Sequence, residues 1–179
     1  MPATPRTARA CALALAGLGL AASTMTAQPA AAASGGGSST ETITTSAQPR
    51  PVARRIDDRV LGARDTAMRQ RGDAYAYGGS GPDRFDCSGL VYYSFRRAGF
   101  AVPRTSGGQA GFTRRVAKQD MRPGDLMFFT GSGGVYHAAI FLKWSHGHAV
   151  MVHSPGSGER VRVAVPWTSS WFGGTLRRR

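Results

Sequence analysis

YAYGGSGPDRFDCSG, residues 75–89, is the stretch around which the rest of the chain is organised. A glycine-rich turn runs into Cys87, and behind it LVYYSFRRA, residues 90–98, has helical character that stops at Gly99. This spacing predicts that Cys87 sits in the first turn of a helix. Unpaired backbone N–H groups and the helix dipole favour negative charge there. The placement is therefore expected to lower the thiol pKa and favour the nucleophilic thiolate. Asp86 is the candidate N-cap of that helix. Its side chain, or that of Ser88, is also placed to hold a cationic group of a substrate. Tyr75 is a candidate oxyanion donor beside the thiol, although packing is the plainer reading of the tyrosines.

Working outward toward the N-terminus, residues 1–33 read as a secretory signal. Arg6 and Arg9 form a basic start, residues 10–22 an apolar core, and small residues follow, with cleavage expected after Ala27 or Ala33. The apolar run is shorter than the roughly twenty residues that a spanning helix needs. Cys11 leaves with this segment, so Cys87 becomes the only cysteine of the mature chain. Exported cysteines normally pair, and a lone exported thiol points to a reactive role or an intermolecular bond. Residues 34–53, rich in Gly, Ser, Thr and Pro, read as a flexible tether. From about Arg54 to Arg71, apolar residues recur at helical spacing (Ile56, Val60, Leu61, Ala63, Ala67, Met68). Asp57 and Asp58 come early in that helix and Arg69 and Arg71 late, as the dipole favours. Residues 54–179 then make the folded domain.

Toward the C-terminus the histidines matter most. A thiol needs a neighbouring base, and the base needs a third group to orient it. His137 begins a strand-like run, residues 137–142, after the flexible-looking residues 130–134. His153 ends a second run, residues 149–152. If the two runs pair antiparallel through a turn at residues 145–147, His137 and His153 become neighbours on the sheet. His146 and His148 form an H-x-H pair of the kind that ligates zinc, but no carboxylate or second cysteine stands near them. A solvated hairpin turn is the preferred reading, and no metal or cofactor is assigned. Residues 159–165 alternate like a strand with one wet face. Trp167 and Trp171 read as core caps, with sugar stacking the alternative, and Arg177 begins a basic tail.

Several ordered motifs resemble the NlpC family of cell-wall cysteine peptidases. They are Tyr75-Ala76-Tyr77-Gly78-Gly79 followed by Phe85-Asp86-Cys87-Ser88-Gly89-Leu90-Val91, then Pro103-Arg104-Thr105-Ser106 with Gln109. Further on come residues 122–129 and the His137-Ala138-Ala139-Ile140 run. The resemblance implies a papain-like α+β fold, with helices packed on one side of a mostly antiparallel sheet that carries both histidines. It also implies Cys87 as nucleophile, His137 as general base and His153 as the group orienting it. Asp86 and Ser88 match positions that contact the free amine of a peptidoglycan stem. The implied substrate bond joins γ-D-glutamyl to a diamino acid, and the expected location is outside the cell, at the wall.

Other readings stay open at this point. The same thiol serves an amidase or acyltransferase equally well, since a thioester does not fix the acceptor. From another class, a basic wall-binding module would leave Cys87 inert. The 179 residues carry a formal net charge of +13, almost all of it arginine, which attracts anionic wall polymers through a field that salt screens. A nucleic-acid binder is disfavoured, because the arginines are scattered and no recognition helix or stacking motif stands out. The chain is expected to be a monomer without a stable membrane span.

Overall fold

The computed structural model describes residues 51–177. The expected signal, 1–33, and nearly all of the expected tether, 34–53, lie outside the described residues. In chain order the elements are α1 (Pro51–Arg69), β1 (Ala74–Tyr75), β2 (Arg84–Phe85), α2 (Cys87–Arg97), α3 (Ser106–Phe112) and β3 (Arg114–Val116). A 3-10 turn follows (Lys118–Asp120), then β4 (Leu126–Gly131), β5 (Gly134–Ser145), β6 (His148–His153), β7 (Arg162–Ala164) and β8 (Trp171–Thr175).

Side-chain alternation along the central strands sets the layering. In β4, Leu126 and Phe128 join one apolar cluster and Met127 and Phe129 another. In β5, Ala138 and Ile140 go to the first cluster and Ala139 and Phe141 to the second. Both faces of the sheet are therefore buried at its centre. The first cluster takes in Val60, Ala63 and Ala67 of α1 and Leu90, Val91 and Phe95 of α2. The second is closed by Met121 and Trp171.

The six-stranded sheet has the order β3-β8-β4-β5-β6-β7, and every pair in it is antiparallel. β1 and β2 form a separate parallel pair. The α+β expectation is met: three helices accompany a mostly antiparallel sheet. The hairpin expected between the two histidine-bearing strands forms, with Ser145 opposite His148. Its two turn residues, His146 and Gly147, have φ of 48° and 77°. A two-residue turn with positive φ at both positions matches the twist of the strands it joins.

Several expectations change. α1 begins at Pro51, so Asp57 and Asp58 lie beyond its first turn and gain little from the dipole. Asp57 instead accepts from Nε of Arg177 at 2.7 Å. Arg177 is no solvated tail residue. It is 5% exposed and pairs with Asp125 at 2.6 Å, which ties the end of the chain to α1 and to the start of β4. Residues 130–134 do not form a loose loop, because Gly131 pairs with Gly134 in a tight hairpin. The strand expected over 159–165 is only three residues long. No helix among the described residues is long and apolar enough to cross a membrane.

Candidate active site

Cys87 opens α2, and Asp86 caps it with extended backbone angles. One Asp86 oxygen, Oδ1, accepts from Gly89 N at 2.6 Å, from Ser88 Oγ at 3.2 Å and from Arg104 Nη1 at 3.0 Å. The other, Oδ2, accepts from Gly78 N at 2.9 Å and Arg104 Nη2 at 2.6 Å. A carboxylate offers about four lone-pair positions, so this one is saturated. The same contacts bind the glycine turn, the helix start and the segment before α3 into one unit. Burial pushes the Asp86 carboxyl up, but the Arg104 and Gly89 donors outweigh it and hold the group below its ordinary value.

The packing here leaves no room for larger residues. A Cβ on Gly89 would overlap the carbonyl oxygen of Gly79. Gln109, fully buried, donates from Nε2 to the carbonyls of Ser88 and Pro103, each at 2.9 Å. That bond anchors α3 to the first turn of α2.

Cys87, Asp86, Ser88 and Tyr75 share an open cleft of about 510 Å³. Tyr77, Arg104 and Tyr136 also line it. Behind the cleft the sulfur lies against the backbone of β5, where the N–H of Ala138 helps to stabilise a negative sulfur. Ala138 is the residue after His137. The ladder between β5 and β6 ends at Ile140 opposite Val152, so β6 leaves the edge of β5 open just before this point.

His137 and His153 are brought together but do not line the cleft. They are 5% and 2% exposed. Nε2 of His137 stands 3.0 Å from Nδ1 of His153, and the rings meet edge to face at 84°. The other nitrogen of His153, Nε2, has no hydrogen-bond partner among the described residues. Burial, and then the neighbouring ring, lowers His137 to about 3. Burial, followed by the charge of Arg162, lowers His153 to about 4.

The thiol departs from expectation. The helix start was expected to lower its pKa, yet burial pushes it up, and the charge of Asp86 adds to that. The N–H groups of Ala138, Ser88 and Cys87 oppose the rise without reversing it. Taken singly, thiol and imidazole are both held neutral. Burial also raises Tyr75, with the sulfur next in importance.

His146, in the β5–β6 turn, and His148, the first residue of β6, both lie exposed. Among the described residues no group of three His, Cys, Asp or Glu is arranged to hold a metal ion. Two residues at the site carry weight that the sequence reading does not assign to them. Arg104 clamps Asp86 from 18 residues away. Trp167, read as a core cap, is 55% exposed and lies over the histidine pair. Trp171, read the same way, does belong to the core.

Residues 72–178 match the model of the NlpC/P60 family. The "Probable endopeptidase p60" of Listeria monocytogenes is 40% identical over 92 residues, which are 51% of this chain and 18% of that protein. The "Bifunctional muramidase/DL-endopeptidase CwlT" of Bacillus subtilis is 40% identical over 96 residues, 51% of this chain and 28% of that protein. The chain thus spans less than a third of the length of either relative. Among solved structures, the peptidoglycan hydrolase RipB of Mycobacterium tuberculosis aligns with a TM-score of 0.60 and 31% identity, covering 74% of this chain and 70% of that one.

Proposed function

The chain belongs to the NlpC/P60 family, and from that premise we propose that it is a secreted peptidoglycan hydrolase. In this reading it is a cysteine endopeptidase that cuts stem peptides at the γ-D-glutamyl–diamino acid bond. What supports the reading most is the 3.0 Å contact between two buried imidazoles behind a helix that starts with the only described cysteine.

The tautomers follow from that contact. Nε2 of His137 faces His153, so Nδ1 is the nitrogen left for the thiol. To accept a proton on Nδ1, His137 must carry its hydrogen on Nε2 and donate it to Nδ1 of His153. His153 then holds its own hydrogen on Nε2 and orients the base.

The chemistry is balanced within the site. As the sulfur attacks the carbonyl carbon, its proton passes to Nδ1 of His137, so no charge has to enter from water. The Cys87 N–H and the Tyr75 hydroxyl stabilise the resulting oxyanion. Collapse breaks the C–N bond, and His137 gives its proton to the leaving amine. A thioester on Cys87 remains. Water, deprotonated by His137, attacks the thioester, and the thiol is regenerated on release of the acid.

Asp86 and Ser88 are assigned to the free amine of the stem. Arg104 already holds the same oxygens, so an incoming ammonium has to take the place of part of the guanidinium's bonding. Defined stem peptides test the assignment. The reading expects a new diamino-acid amine and a free γ-carboxyl in the products, and slower cutting when the stem's own amine is acetylated. Release at the sugar-linked amide instead would make the protein an amidase.

A further inference from the structure

We propose that Trp167 is a positioning residue for the reaction above, a roof that fixes the two imidazoles in one orientation and keeps water from them. This rests on the hydrolase reading for its consequence in catalysis, but the geometry stands by itself.

Among the described residues each imidazole has one polar tether, the contact it shares with the other. A single hydrogen bond lets a ring turn about its own axis, so packing must supply the orientation. Trp167 supplies it. Its ring stacks on His153 with centroids 5.7 Å apart at 27°, and meets His137 edge on at 5.2 Å and 69°. The same ring lies flat on Phe129 at 4.5 Å and 8°, and Phe129 touches His137 from β4 at 5.4 Å. His137 thus meets the side of a stacked pair made of one buried and one half-exposed aromatic, while His153 packs on the half-exposed one.

The roof is a loop residue, not part of the sheet. Trp167 lies between β7 and β8, and the loop is held at its far end. Lys118 Nζ donates to the Ser169 carbonyl at 2.8 Å and Thr130 N to the Ser170 carbonyl at 3.0 Å. The indole packs on both histidines while the residue stays 55% exposed. Water would take its place if it were removed.

The charged and titratable groups acting on the pair come from other elements. They are Asp86 at the start of α2, which acts on His137, and Arg162 on β7, which acts on His153. Phe129 and Trp167 carry no charge. Replacing Trp167 therefore changes hydration and leaves those charges in place. Burial is the leading cause of the lowered pKa of both imidazoles, so exposing them should release it.

The test is an NMR titration of the imidazole signals in the full chain bearing Cys87→Ala, alone and combined with Trp167→Ala, Trp167→Leu or Trp167→Phe. Trp167→Ala is expected to raise at least one imidazole midpoint by about one pH unit or more toward the ordinary 6.5. Trp167→Leu should give a smaller rise, and Trp167→Phe should stay close to the parent. With Cys87 restored, Trp167→Ala should lower kcat about 10- to 100-fold with little change in KM, and move the acid limb of activity upward. Unmoved midpoints in a folded Trp167→Ala variant overturn the proposal. Should that variant not fold, unmoved midpoints in Trp167→Leu do the same. The titration needs no turnover. Unmoved midpoints beside normal stem-peptide hydrolysis would remove the roof alone, while shifted midpoints beside an inert wild type would remove the hydrolase reading alone.

Discussion

Nε2 of His137 and Nδ1 of His153 stand 3.0 Å apart on neighbouring antiparallel strands, both rings almost wholly buried. One nitrogen of the pair must donate and the other accept. Which one donates decides whether His137 can take a proton from Cys87. His153→Asn keeps an acceptor oxygen near that position, whereas His153→Ala keeps none. We expect His153→Asn to retain a measurable share of activity and His153→Ala to lose about 100-fold in kcat. Equal activity in both variants would show that His153 does not orient the base. Steady-state hydrolysis of a stem peptide provides the comparison.

Burial pushes the Cys87 thiol up and His137 down to about 3. The resting site should therefore hold a thiol and not a standing ion pair. Alkylation by iodoacetamide, followed against pH, is expected to rise with a midpoint above the free-cysteine value of about 8.5. A plateau reached below pH 7 would mean that a thiolate–imidazolium pair already exists.

The same shifts predict how stability depends on acid. Both imidazoles are lowered from 6.5, to about 3 and about 4, so between those values and 6.5 the unfolded chain binds more protons than the folded one. Stability is then full above about pH 6.5 and declines as pH falls toward 3. The lowered Asp86 carboxyl works in the same direction, at the acid end. Differential scanning calorimetry should show Tm falling by about 10 °C between pH 6.5 and 4. His153→Asn should flatten part of that slope, and an unchanged slope would discount the histidine pair as its source.

Arg177 offers a prediction remote from the chemistry. Its guanidinium pairs with Asp125 at 2.6 Å and with Asp57 at 2.7 Å, and donates to the Pro123 carbonyl at 2.7 Å. Arg177→Ala leaves the buried Asp125 carboxylate without that cation. Removing one partner of a buried pair costs about 3–5 kcal/mol, which a lower urea midpoint should reveal while the folded fraction keeps its specific activity. A change below about 0.5 kcal/mol would return Arg177 to the role of a solvated end.

The sequence carried the elements that local chemistry dictates. A glycine turn, an Asp cap and a cysteine announce the start of α2, and the spacing of two histidines about a short turn announces their meeting. Contacts that depend on distant segments were not legible. Arg104 reaches Asp86 across 18 residues and Arg177 reaches Asp125 across 52, and no local pattern marks either bond. Hydropathy makes Trp167 a core cap and says nothing about which rings it covers. The sign of the thiol shift was missed for a related reason. A helix start is visible in sequence, but the burial that outweighs it is a property of the assembled fold.

The most direct measurement is digestion of purified peptidoglycan by wild type and by Cys87→Ala, with mass analysis of the fragments. The Cys87→Ala variant should keep its Tm within about 5 °C, since only one sulfur is lost. The account predicts fragments that end in a free γ-D-glutamyl carboxyl, paired with new diamino-acid amines, from the wild type and none from Cys87→Ala. The same fragments from a folded Cys87→Ala variant would contradict it.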